Sequence, residues 1–372
     1  MKEELGVLFQ GLLKTKQVKH AVLSVESGDG SFRWAKAGSN GGNEQFEPGN
    51  EVSFWIASVT KLFIAAAILK LQEKGQLSIY DHLAQYLPLN IIEGLHRTKS
   101  GEDHSNSLTI YHLLSHTSGL PDYIEIKPKG GKSLFDLVLE EGDRSWTIEQ
   151  TLGIVKTEGK PLFPPQPIDA DKKKARYSDT NFQLLIAIIE AVTGRSIEAV
   201  FKDMFYKPLN LRSTYHPGTK PLDQKPTVIP TWCGEQKLDI PLAMKSFGDL
   251  NSTGGDLLRL MRALISGEAF NHPATGELMR EKWNQFGFLI SPVAPGWPIE
   301  YGLGMMRFEM PRIFTPFQST PAVIGHTGAN GSWLFYCPDY DFYITGTVSQ
   351  VLAAAVPFRL IPRVIKLIGN SF

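Results

Sequence analysis

Between Leu62 and Leu69 every position is apolar, Leu62-Phe63-Ile64-Ala65-Ala66-Ala67-Ile68-Leu69. These are good helix formers with no polar stripe, so the pattern predicts a helix that faces core on most sides. Upstream, residues 4–17 alternate as an amphipathic first helix. His20 to Glu26 then alternates loosely and is rich in strand formers. Ser27-Gly28-Asp29-Gly30 reads as a turn, and Ser31 to Gly38 returns as a second strand, which together predict a hairpin. Residues 46–52 form a loop that leads into the apolar helix.

A helix-rich middle follows. Leu108 to Leu114 predicts a short capped helix that ends in a turn at Gly119-Leu120-Pro121. Further helices are expected over 146–157, 182–192 (stopped by Gly194) and 197–205, and another begins near 249–257. After Pro292 the pattern changes. Residues 301–305, 322–326, 333–336 and 341–348 are strand-like, with many β-branched and aromatic residues. Residues 352–368 close as a helix that Pro357 and Pro362 should kink. The order predicts an α+β fold, an antiparallel sheet flanked by helices with an inserted all-helical domain. The sheet domain is drawn from residues 1–77 and 291–372, and the helical domain from 78–290. No internal repeat is visible.

Composition narrows the functional classes. The 372 residues carry 38 Lys plus Arg against 38 Asp plus Glu. This balance gives no electrostatic reason to expect nucleic acid or an anionic membrane as a partner. Cys233 and Cys337 lie too far apart in sequence to suggest a disulfide framework or metal-ligand spacing. His112 and His116 share an i, i+4 spacing, but the glutamate of a zinc-protease helix and a third ligand are missing. No metal and no cofactor is therefore expected, and Leu113 and Leu114 explain that helix as packing. Met1-Lys2-Glu3-Glu4-Leu5 has acidic residues early and no apolar core of a signal peptide. No apolar run reaches membrane-spanning length, so the expectation is a soluble, cytoplasmic protein.

The candidate chemistry sits at the front of the apolar helix. Ser58 and Lys61 are three residues apart, on one helix face. A buried lysine is costly unless it is paired or neutralised, and a serine hydroxyl is a poor nucleophile without a base. The two oddities explain each other if burial and the positive helix end lower the Lys61 pKa, so that it serves Ser58 as base. The Ser58 backbone N–H, unpaired at a helix start, would stabilise an oxyanion. Ser58 is the only serine in the chain with lysine three positions on, and no serine occupies a G-x-S-x-G elbow.

Three triplets follow in order: Ser58-Val59-Thr60-Lys61, Tyr177-Ser178-Asp179 and His326-Thr327-Gly328. With His116-Thr117-Ser118-Gly119-Leu120 and Tyr301-Gly302-Leu303-Gly304, they make the chain resemble the serine β-lactamase and penicillin-binding protein superfamily. The resemblance covers nearly the whole chain and is strongest to the class C-like branch, which includes β-lactamase-fold carboxylesterases. It implies that Ser58 is the acylated nucleophile, Lys61 its proton shuttle and Tyr177 a general base or relay. A lowered Tyr177 pKa would need two nearby ammonium-type charges. The resemblance also implies that His326, Thr327 and Gly328 form a strand edge along the substrate cleft, and that the Ala329 backbone N–H is the second oxyanion donor.

Two positions depart from the family pattern. Asp179 stands where asparagine is usual, and an ionised carboxylate cannot donate to a substrate amide. His326 replaces lysine with a titratable group, so attraction for a substrate carboxylate should be weak and pH-dependent. Both favour an uncharged, easily cleaved acyl compound, with Asp179 in the binding set. The expected function is a serine hydrolase, an esterase on short-chain esters with weak β-lactam turnover. Its alternatives are a D-Ala-D-Ala carboxypeptidase, a D-aminopeptidase or a class C-like β-lactamase, and a non-turnover acylating sensor or scaffold. Loops 124–133, 228–240 and 286–300 are expected to shape the acyl pocket.

Overall fold

The computed structural model describes residues 1–40, 52–223, 226–286, 297–311 and 320–371. Most of loop 46–52, and residues 287–296 of the loop expected at 286–300, lie outside the described residues.

Twelve strands are described: β1 His20–Ser27, β2 Arg33–Ser39, β3 Ser53–Trp55, β4 Thr231–Cys233, β5 Gln236–Leu238, β6 Asn251–Thr253, β7 Asn284–Gln285, β8 Glu300–Tyr301, β9 Met306–Phe308, β10 Val323–Thr327, β11 Ser332–Cys337 and β12 Phe342–Thr347. Eight of them form one sheet in the order β2-β1-β12-β11-β10-β9-β8-β7, and every pairing in it is antiparallel. The β1–β2 hairpin pairs Glu26 with Arg33 and His20 with Ser39, as the alternation at its start implied. β3 pairs with β6 in a small separate ladder that the sequence pattern did not announce. β4 and β5 form a second one.

The helices are α1 Lys2–Leu13, α2 Lys61–Glu73, α3 Leu89–Ile92, α4 Ile110–Leu114, α5 Leu134–Glu141, α6 Ile148–Thr157, α7 Asp179–Thr193, α8 Ile197–Phe201, α9 Pro241–Phe247, α10 Gly254–Ser266, α11 Ala274–Glu277 and α12 Val356–Gly369. Local signals set several ends. Thr109 and Thr147 cap α4 and α6 through reciprocal bonds with the third residue of each helix. Gly194, in the left-handed region, stops α7. Pro357 falls in the first turn of α12, where its missing N–H costs nothing, and the helix runs on past Pro362. No helix among the described residues is long and apolar enough to cross a membrane.

Alternating side chains cover both faces of the sheet. On β11, Trp333, Phe335 and Cys337 pack toward α1 and α12, whereas Leu334 packs toward the helical side. α10 lies across β1, β11 and β12, and β7 joins the sheet edge. Both lie within the span 78–290 that the sequence pattern assigns to the helical domain.

α2 is the hub of the larger core. Lys61 to Leu69 is buried at every residue, and the helix packs against α7. Each fully buried Leu, Ile or Phe on it contributes roughly 1.5–3 kcal/mol. Gly304 follows β8 at φ 72° and gives its N–H to the Leu114 carbonyl at the end of α4 (3.0 Å). A Cβ there would collide with Ala65 on α2. Gly304→Ala is therefore expected to lower stability by about 2–4 kcal/mol, from overpacking plus the left-handed backbone. Urea unfolding measures it, and a loss below about 1 kcal/mol would show that α2 can move aside.

Candidate active site

Ser58 lies on a short 3-10 turn, Ala57–Thr60, that runs directly into α2. Ala57 adopts φ 46°, an uncommon state for a residue with a Cβ. The turn is held from several sides. Ile56 N–H donates to the Leu250 carbonyl (3.0 Å), and Leu250 N–H donates to Thr60 Oγ1 (3.2 Å). Ser332 Oγ donates to the Ile56 carbonyl (2.8 Å), and Asn330 Nδ2 donates to that of Trp55 (2.6 Å). The Trp55 indole N–H donates to Asp249 Oδ2 (2.9 Å).

Three of the sequence-predicted residues meet at one atom. Ser58 Oγ accepts from the Tyr177 hydroxyl at 2.8 Å and from Lys61 Nζ at 3.0 Å. Lys61 Nζ also pairs with Asp179 Oδ1 at 2.5 Å. Tyr177 and Asp179 reach this point because α7 begins here. Its first turn is tied to the segment His116–Asp122: Asp179 N–H donates to Asp122 Oδ2 (3.0 Å), and Asn181 Nδ2 donates to His116 Nδ1 (2.8 Å). Ser118 Oγ donates to Asn181 Oδ1 (2.7 Å). The His116 ring lies 4.6 Å from that of Tyr177, centroid to centroid. His116 is thus committed to α7, while His112 binds the Thr109 N–H and the Gln166 carbonyl.

The charge states differ from those expected. Burial alone would push the Lys61 ammonium down, but Asp179, with Asp249 beyond it, holds it above the ordinary lysine value. Lys61 rests as a cation, not as the free base that the sequence implied. Burial, reinforced by Asp179, raises Tyr177 well above the ordinary phenol value despite its bond to Ser58. A single ammonium stands beside it, so the phenol keeps its proton.

His326 is fully buried. Its Nδ1–H donates to the Thr327 carbonyl (2.7 Å) and its Nε2 accepts from the Tyr301 hydroxyl (3.0 Å). Burial, then the Lys61 charge, pulls it down to about 3. The expected pH-dependent cation near neutrality is corrected: His326 is a neutral link to Tyr301. Thr327 turns its hydroxyl to the Met306 sulfur (3.7 Å). Gly328 brings the end of β10 against the Ser58 turn, where a Cβ would clash with Ile56 O and Ala57 Cβ. Ala329, next in line, is exposed.

Sequence reasoning missed Asp122 and Asp249, both beside the Lys61–Asp179 pair. Asp122 follows the quoted His116–Leu120 segment by two residues, which is the one signal that could have found it. Nothing local marks Asp249.

Comparison with known proteins gives a consistent result. The family described as Beta-lactamase matches residues 29–359. The D-alanyl-D-alanine-carboxypeptidase/endopeptidase AmpH of Escherichia coli K12 is 24% identical over 285 residues, 76% of this chain and 66% of that protein. The chain thus spans just under two thirds of the length of that relative. Among solved structures, a D-stereospecific amidohydrolase from Streptomyces sp. has TM-score 0.69 at 23% identity, over 95% of this chain and 97% of that one. EstCE1, described as a hydrolase with promiscuous acyltransferase activity, has TM-score 0.67 at 22% identity over 98% of each chain.

The Lys61–Asp179 pair sets a pH expectation. Lys61 can take the Ser58 proton only when neutral, so acylation should rise with pH toward the raised lysine pKa. Asp179→Asn removes the carboxylate that stabilises the ammonium, so Lys61 loses its proton at lower pH. The rising limb of Ser58 acylation by a neutral reagent should move to lower pH in the variant. An unmoved limb would mean that Lys61 does not control it.

Proposed function

This chain belongs to the Beta-lactamase family of serine hydrolases, and on that footing we propose that it is a carboxylic ester hydrolase working through an acyl-enzyme on Ser58. The observation that carries the reading is the meeting of the Tyr177 hydroxyl and Lys61 Nζ at Ser58 Oγ, at 2.8 and 3.0 Å.

The reactive form has lost one proton from Lys61. Ser58 then gives its proton to Lys61 Nζ as Oγ attacks the ester carbonyl. The backbone N–H groups of Ser58 and Ala329 hold the oxyanion. As the C–O bond to the alcohol breaks, Tyr177 gives its proton to the leaving oxygen and takes one from Lys61. The alcohol thus leaves with the Tyr177 proton, and the proton that Ser58 gave up to Lys61 makes good the loss on Tyr177. Water repeats the sequence: its proton passes to Lys61, and Ser58 Oγ recovers a proton as the acid departs. Tyr177 acts as a relay that never rests as phenolate, which fits its raised pKa.

Esters are favoured over carboxylate-bearing peptides and β-lactams. Recognition of a substrate carboxylate calls for a cation on the cleft strand, and His326 is buried and neutral. The positive charge of Lys61 is already matched by Asp179. Soluble small-molecule esters are the proposed partners, with Asp179, Thr327 and Gly328 lining the cleft.

A 4-nitrophenyl ester of a short acid should add one acyl group to Ser58, seen by intact mass and peptide mapping. Ser58→Ala should lose both label and turnover, a drop of about a thousandfold or more. Full activity in that variant would end the proposal.

A further inference from the structure

Tyr177 is bracketed by a single residue. Arg176 N–H donates to the His116 carbonyl (3.0 Å), and Ser178 N–H donates to His116 Nδ1 (3.3 Å). Between these two bonds the His116 ring packs on that of Tyr177, with 4.6 Å between centroids. Asn181 Nδ2, in the first turn of α7, gives Nδ1 a second donor (2.8 Å). His116 makes all of these contacts from φ 55°, a left-handed backbone that is uncommon for a residue with a Cβ. Strained residues of this kind persist where their surroundings over-determine them, and they gather at functional sites.

The same contacts fix where the imidazole proton lies. A backbone N–H can only donate, so Nδ1 must accept and the ring proton is on Nε2. The Asn181 amide agrees: its oxygen accepts from Ser118 Oγ (2.7 Å), which leaves its nitrogen as the donor to Nδ1. His116 is fully buried, and Nε2 meets no acceptor among the described residues. The ring packs instead against Tyr301 and Phe182, at 4.6 and 5.2 Å between centroids. Burial, then the Lys61 charge, holds His116 well below the ordinary histidine value, so it carries no charge near neutral pH.

We propose that His116 is the positioning residue of the Tyr177 relay: its carbonyl and its Nδ1 hold the backbone on either side of Tyr177, and its ring backs the phenol that reaches Ser58 Oγ. The proposal rests on the acyl-enzyme reading and adds to it a residue that acts only through Tyr177. A misplacement of about 1 Å can cost a reaction about a hundredfold. Here the loss should fall on the step that Tyr177 serves, the delivery of a proton to the leaving oxygen.

The test varies the leaving group and keeps the acyl group. Ethyl butanoate releases a strongly basic alkoxide that must be protonated as it departs, whereas 4-nitrophenyl butanoate releases a weakly basic phenolate that need not be. His116→Phe keeps a ring but offers no acceptor to Ser178 and Asn181. In this variant kcat/KM should fall about tenfold or more further on the ethyl ester than on the 4-nitrophenyl ester. Tyr177→Phe, which removes the relay itself, should show the same split. His116→Asn presents an oxygen in the place of Nδ1 and tolerates a positive φ, so it should return the ratio of the two esters toward that of the unaltered protein. Equal losses on both esters in His116→Phe, with the split present in Tyr177→Phe, overturn the positioning role and leave the acyl-enzyme reading standing. If Tyr177→Phe shows no split, the relay fails and the proposal with it; if neither ester acylates Ser58, the acyl-enzyme reading fails first. Whatever the variants do on folding, nitrogen-15 NMR of the unaltered protein should find the His116 proton on Nε2, and a proton on Nδ1 overturns the proposal.

Discussion

The buried ammonium of Lys61 is the constraint around which this molecule is arranged. Lys61 is 4% exposed at the head of an apolar helix. An ion in such a place costs several kcal/mol unless a counter-charge meets it in good geometry. Asp179 meets it from the first turn of α7, so the pair fixes how α2 and α7 approach each other. Asp179 is in turn fixed by Asp122 through its own N–H. Tyr177, two residues before Asp179, is carried to Ser58 by the same arrangement. One charge and the need to satisfy it thus set how Lys61, Asp179, Asp122 and Tyr177 are placed.

Ser58 is positioned by a different means. Its turn is short, begins at a residue with positive φ and lacks a side-chain cap. A backbone of this kind stores about 1–3 kcal/mol and persists only when its surroundings over-determine it. Here the surroundings are Leu250, Asn330, Ser332 and the indole bond of Trp55 to Asp249. Asn330 comes from the turn between β10 and β11 and Ser332 is the first residue of β11, so the sheet itself clamps the turn that carries Ser58. Gly328 permits the approach because it has no side chain to occupy the gap. The β3–β6 ladder, which pairs Trp55 with Asn251, holds the chain just before the turn. The serine therefore stands on packed elements, which is the requirement for holding a nucleophile and its proton donors within hydrogen-bond distance.

The same residue types change meaning with depth. His326 on an exposed strand would titrate near neutrality and serve as a weak cation. Fully buried between Thr327 and Tyr301, it is a neutral hydrogen-bond link. Asp249 in water would be an ordinary anion; buried with a single indole donor, it lies near neutrality in its titration. The polarity of the cleft follows from burial as much as from which residues line it.

Much of this protein was legible in its sequence because the signals are local. The apolar run from Leu62 to Leu69 required a buried helix, and Ser58 with Lys61 at its front required an explanation in chemistry. The hairpin of β1 and β2, the Thr109 and Thr147 caps and the Gly194 stop each depend on neighbours a few residues away. The ordered triplets named Ser58, Lys61, Tyr177 and Asp179 before any distance was known. Charge state was not legible, since it depends on what lies within a few ångströms in space. Lys61 is a cation because Asp179, 118 residues on, faces it. Asp122 and Asp249 carry no motif and gain their significance only where three distant segments converge on α7. The placing of α10 was hidden for the same reason: it has the periodicity of any amphipathic helix, and only the tertiary structure shows that it lies across β1, β11 and β12.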